Sequence, residues 1–101
     1  MVERKRYKVV VKVTSQEGSC TYNHKVGDEW IIGYTKPDGG IGITTPAGMC
    51  LLAFQSLLPA VWTLVYGGNF PWEPDPDVVT NMACSDAKNP VVFELRRIRE
   101  D

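Results

Sequence analysis

The sequence predicts one α+β domain in which a small, mostly antiparallel sheet packs on a central apolar helix, in the order β-β-α-β-β. Three observations lead there. A chain of 101 residues is the length of one domain with one core, so residues 1–101 form a single unit. Apolar and polar residues alternate near both ends, and the stretch between Asp38 and Glu73 carries no charge and repeats apolar residues at helical spacing. At 44% apolar and 23% charged, the composition is that of a globular domain and excludes disordered and collagen-like chains.

The elements follow in chain order. Tyr7, Val9, Val11 and Val13 alternate with Lys8, Val10, Lys12 and Thr14, the period-two pattern of a strand with one buried face. Gln16-Glu17-Gly18-Ser19 supplies a turn. Val26-Gly27-Asp28 then feeds a second strand from Asp28 to Tyr34, with Trp30, Ile32 and Tyr34 on one side. Lys36-Pro37-Asp38-Gly39-Gly40 is a dense turn signal, Ile41-Gly42-Ile43 a short extended piece, and Pro46-Ala47-Gly48 an interruption.

Leu51, Phe54, Leu58, Val61 and Val65 recur at steps of three and four, leaving Gln55, Ser56, Pro59, Thr63 and Tyr66 as a narrow polar stripe. That is a helix buried over most of its circumference. Pro59 has no amide to donate and crowds the preceding turn, so the helix is expected to kink there or to be a pair broken at Pro59. Gly67-Gly68 ends it. Pro71, Pro74 and Pro76 bar helix and central strand from Asn69 to Asp77, which is read as an ordered loop anchored by Trp72. A short strand around Thr80 to Cys84 follows, and Val91 to Ile98 closes the fold with Val91, Phe93 and Leu95 on one face.

Charge constrains the partners. Eleven basic against 12 acidic residues give a net charge of -1, with no global field to draw nucleic acid or an anionic membrane. The basic runs Arg4-Lys5-Arg6-Tyr7-Lys8 and Arg96-Arg97-Ile98-Arg99 are blunted by Glu3, Glu94, Glu100 and Asp101, so no nucleic-acid partner is expected. Met49 to Tyr66 is uncharged, yet Gln55, Ser56, Pro59 and Thr63 interrupt it and no basic residue closely flanks it, which argues against a membrane span. A helix apolar over most of its surface needs cover on more than one side, so a homo-oligomer is expected.

No phosphate loop, dinucleotide fingerprint, nucleophile elbow or HExxH pair is present. Three constellations remain. Cys20, His24, Cys50 and Cys84, the only thiols and the only imidazole, make a Cys3His set suited to a tetrahedral ion such as zinc, although only Cys20 and His24 are close in sequence. The plain alternative is three buried, inert thiols and a surface histidine in a purely structural or interaction module. Cys50 alone, where the helix begins, is placed for a thiolate nucleophile with His24 as its base, which would make the protein a thiol-dependent enzyme. Glu73, Asp75 and Asp77 form an acidic loop that lacks the glycine and the number of oxygen ligands a calcium site wants, so a solvated loop is expected. An odd number of cysteines, and no apolar stretch in Met1 to Tyr7, lead to the expectation of free thiols in a cytoplasm.

Several segments together resemble a family of small uncharacterised prokaryotic proteins. They are Cys20 followed by His24-Lys25-Val26-Gly27-Asp28-Glu29, then Pro46-x-Gly48-x-Cys50, Gly67-Gly68 before Pro71-Trp72, Ala83-Cys84-x-Asp86, and Asn89-Pro90-Val91-Val92-Phe93-Glu94-Leu95-Arg96-Arg97. The resemblance spans nearly the whole chain. It implies a prokaryotic cytoplasm and a recurring set of cysteines, and brings no substrate or cofactor with it. On this reading the chain is a small metal- or ligand-binding accessory protein that uses Cys20, His24, Cys50 and Cys84.

Overall fold

The computed structural model describes residues 7–35, 41–42 and 48–99. Their order is β1 (Lys8–Gln16), β2 (Glu29–Ile32), β3 (Tyr34–Thr35), β4 (Ile41–Gly42), α1 (Leu51–Val65), β5 (Val78–Ala83) and β6 (Val91–Ile98). Four strands form one antiparallel sheet in the order β2-β1-β6-β5, and β3 and β4 form a separate two-stranded piece. The α+β class and the β-β-α-β-β order read from the sequence hold, with β3 and β4 added. Helix α1 links one edge of the sheet to the other and lies against one face.

The long central strands carry the core. Val9, Val11 and Val13 of β1 and Val91, Phe93 and Leu95 of β6 are all fully buried, as alternation requires when one face of a sheet is covered. From the helix, Ala53, Phe54, Leu57, Ala60, Val61, Leu64 and Val65 pack into the same cluster. Met49 and Phe54, both buried there, occupy the two positions of a hydrophobic staple and fix the angle at which the chain enters the helix.

Several expectations are corrected. The helix is one continuous element through Pro59, not a pair broken there. Pro59 and Gln55 are both exposed, so the carbonyl that loses its amide partner lies on the watered side of the helix. The second strand does not run on to Tyr34. It stops at Ile32 because Gly33 adopts φ +90°, and a Cβ there would sit 3.1 Å from the Tyr7 carbonyl oxygen. Trp72 does not anchor the proline-rich loop: it is 68% exposed and lies over Phe70, which packs on the core in its place. Leu51, placed inward by the spacing, is exposed together with Leu52 and Trp62, so the apolar arc of α1 is wider than the sheet covers. Ile43 and the Lys36 to Gly40 turn lie outside the described residues, as does Arg4-Lys5-Arg6.

The two ends of α1 are held by different polar groups. At the C-terminal end the Gly67 amide donates to the Leu64 carbonyl at 3.2 Å and the Gly68 amide to the Thr63 carbonyl at 2.8 Å, the pairing of a Schellman stop. The guanidinium of Arg97, only 3% exposed, reaches under the same turn. Its Nη1 donates to the carbonyls of Leu64 and Gly68 at 3.1 and 2.7 Å, its Nη2 to Pro76 at 2.8 Å and its Nε to Asp77 at 2.9 Å. A cation beneath the last carbonyls of a helix also complements its dipole. The N-terminal end belongs to the candidate site.

Among the described residues no helix is long and apolar enough to cross a membrane.

Candidate functional site

Three segments meet at the N-terminal end of α1: the loop from Glu17 to Asp28, the residues that open the helix, and the loop from Cys84 to Pro90. Backbone bonds seat the first loop. The Asn23 amide donates to the Cys20 carbonyl at 2.9 Å, closing a turn in which Asn23 adopts φ +65°. The Asp28 amide donates to Lys25, and the Asp28 carboxylate accepts from the Lys25 amide at 2.9 Å, so the expected turn into β2 is formed. In the third segment Asp86 accepts from the amides of Lys88 and Asn89 at 3.1 and 3.2 Å and from the Asn89 side chain at 3.3 Å. The Asn89 side-chain bond, followed by that from Lys88, holds the Asp86 carboxyl below the usual range.

Asn89 also ties the two loops together. Its Oδ1 accepts from the Ser19 amide at 2.8 Å, while the Glu17 amide donates to the Pro90 carbonyl at 3.0 Å. Gly18 makes this approach possible. It adopts φ +69°, and any Cβ there would run into the Asn89 side chain.

Between the segments lies a pocket with about 70 Å³ of room, lined by Cys20, His24, Cys50 and Cys84 together with Tyr22, Leu52, Ala53, Asp86, Asn89 and Val91. All four residues singled out from the sequence therefore border one opening. The three thiols are unpaired and half-buried, each packed against the edge of the core. Their surroundings differ. Cys84 extends the β5–β6 ladder, its amide donating to the Val91 carbonyl at 3.0 Å while its sulfur accepts the Val91 amide at 3.3 Å. Cys50 is the N-cap of α1, with φ -62° and ψ 135°; its carbonyl accepts the Phe54 amide at 3.0 Å and its side chain makes no capping bond.

His24 is not on the surface. It is 4% exposed, with ring centroids of Tyr22 and Trp30 each 5.1 Å away and that of Phe93 at 6.4 Å. Its Nε2 accepts the backbone amide of Cys50 at 3.1 Å. An acceptor Nε2 requires the neutral ring with its proton on Nδ1. Burial lowers the pKa of His24 below its ordinary value, against a smaller upward pull from the Asp28 charge. The imidazole thus meets Cys50 through the main chain, and this bond occupies the lone pair that a base for the Cys50 thiol would use from Nε2. Among the described residues, no three His, Cys, Asp or Glu side chains are arranged to hold one metal ion.

The third constellation, the acidic loop, resolves into structure. Asp77 takes the Nε groups of both Arg97 and Arg99 at 2.9 and 2.8 Å, Arg96 lies near Asp75 and Glu94, and Glu73 accepts from the amide and hydroxyl of Thr80. The carboxylates of the acidic loop thereby serve the arginines that end β6 and the edge strand β5. Sequence reading missed Arg97 as a buried residue. The signal was present, since alternation puts residue 97 on the same face as Val91, Phe93 and Leu95.

No protein-family model, curated protein or solved structure matches the chain.

Proposed function

We propose that the protein is a small metal- or ligand-binding accessory protein whose working site is the pocket at the N-terminal end of α1. One observation carries this reading: all three cysteines, drawn from three segments far apart in sequence, line the same opening. Thiols used only as inert filler belong inside a core, fully buried and independent of one another. These are half-buried around a shared space. In this reading His24 supports the site by fixing the amide of Cys50, and the thiols remain reduced, as in a cytoplasm.

The test is the response of the untagged, reduced protein to thiol-seeking ligands. Its melting temperature is expected to rise when such a ligand is bound, and to fall when it is removed. Binding should weaken in acid, because each ligating thiol must give up its proton. A melting temperature indifferent to every such ligand, in the wild type and in the variant with all three cysteines replaced by serine alike, contradicts the proposal.

The same proposal includes self-association. Leu51, Leu52 and Trp62 lie exposed on the outer face of α1, with the Trp62 ring 5.1 Å from that of Tyr66, and a second copy over this face accounts for their exposure. Light scattering at about tens of micromolar is expected to report more than the monomer mass. A strict monomer would refute this part.

A further inference from the structure

Most strong hydrogen-bonding groups around the pocket are already engaged within the protein. Asp86 is held by Lys88 and Asn89, Asn89 Oδ1 by Ser19, His24 Nε2 by Cys50, and the Cys84 sulfur by the Val91 amide. The rest of the lining is Cys20 and Cys50, the apolar residues Leu52, Ala53 and Val91, and the exposed Thr21 and Tyr22. A nucleotide, a sugar or a carboxylic acid is recognised by several convergent polar groups, and here Asp86 and Asn89 are bonded to one another and to neighbouring backbone. A closed tetrahedral zinc site needs at least three protein ligands in reach of one point, and the described residues offer no such set. Soft monovalent d10 cations differ on both counts, since they prefer sulfur to nitrogen or oxygen and are satisfied by two thiolates in a near-linear arrangement.

We propose that Cys20 and Cys50 form a two-sulfur clamp for a soft monovalent cation of the Cu(I) or Ag(I) kind. The proposal rests on the reading of the pocket as a ligand site and names its ligand class. Both sulfurs start from seated backbone: Cys20 heads the turn closed by the Asn23 amide, and Cys50 is fixed on one side by His24 and on the other by the first turn of α1. Cys84, its sulfur turned to the Val91 amide, stands as an outer neighbour that tunes the site. Each thiol that ligates releases its proton to solvent, so uptake acidifies a weakly buffered solution and no electron is transferred.

The experiment is an anaerobic titration of the reduced full chain with Ag(I) and with Cu(I), against a competing chelator. Cys20→Ser, Cys50→Ser and Cys84→Ser are compared, since each leaves the same number of thiols. Serine is a good N-cap, so Cys50→Ser should keep the helix, and circular dichroism checks this. The wild type is expected to take up a single ion per chain. Cys20→Ser and Cys50→Ser should each weaken binding by about a hundredfold or more, and Cys84→Ser by about tenfold, the difference between a direct ligand and an outer partner. Equal losses in all three variants would overturn the two-sulfur assignment and leave the pocket reading standing. Tighter uptake of Zn(II) than of Ag(I), abolished by His24→Gln, would overturn it in favour of imidazole ligation at the same pocket. Weak uptake that none of the three replacements changes would sink both the clamp and the pocket reading.

Discussion

Arg97→Met is expected to destabilise the protein by about 2–3 kcal/mol, the scale of removing a charged donor from acceptors at the end of the helix. Methionine keeps much of the buried stem, so the loss isolates the guanidinium. Without it the carbonyls of Gly68 and Pro76 lose this donor, that of Leu64 keeps only the Gly67 amide, and Asp77 is left with Arg99 alone. A fully buried group stripped of its partner costs about 1–3 kcal/mol, and the part-buried bonds to Gly68 and Pro76 lie at the low end of that range. Denaturant unfolding measures it, and a loss below about 1 kcal/mol would mean that the guanidinium network contributes little. Arg97→Lys is not expected to rescue the fold, because a single ammonium cannot reproduce the fork that meets Asp77 and three carbonyls.

His24→Ala is expected to cost about 2–4 kcal/mol, combining the void left among Tyr22, Trp30 and Phe93 with the loss of the acceptor for the Cys50 amide. The pH dependence separates the imidazole from simple packing. Its pKa is lower in the folded protein than its ordinary value of 6.5, so between those two values the unfolded chain binds more protons. The contribution of the neutral ring is therefore present above about pH 6.5 and is lost as pH falls through the folded pKa. Asp77, held down first by its bond from Arg99, has the same sign, but its loss comes below the ordinary carboxylate value of 3.8. Wild-type stability should accordingly fall from pH 7 to pH 5 while His24→Ala stays nearly level over that window. Identical slopes for the two proteins would contradict the assignment.

The fold was legible where one physical signal dominated. β1 and β6 alternate because one face of each is covered, and Val91 to Ile98 is the observed span of β6. Helix α1 followed from apolar spacing and from Gly67-Gly68. Less legible was anything that depends on a backbone detail or a distant partner. Gly33 ends β2 through its positive φ and the nearness of Tyr7, and nothing local to residues 28–34 announces the approach of Tyr7. Pro59 reads as a breaker, and only the exposure of that side of the helix explains why it is tolerated. Arg97 reads as a surface charge by residue type, while its place in an alternating strand sets it on the buried face.

The candidate site divides in the same way. Cys20, Cys50 and Cys84 could be listed from residue type alone, but their meeting at one pocket depends on Gly18 letting Asn89 close against the loop after β1, a contact spanning most of the chain. The role of His24 was hidden because spacing cannot show whether an imidazole faces a thiol, an ion or a main-chain amide. Its partner is the amide at the helix N-cap, and that contact links the burial of His24 to the placing of Cys50.

The most direct test of the pocket is a titration of the reduced, isotope-labelled chain with Ag(I), followed through its backbone amide resonances. Changes are expected at Thr21, Tyr22, Leu52, Ala53 and Asn89, around the opening that the three cysteines line. Changes centred instead on Val10, Lys12 and Glu94, on the open face of the sheet, or spread without focus over the chain, would contradict a ligand site at the N-terminal end of α1.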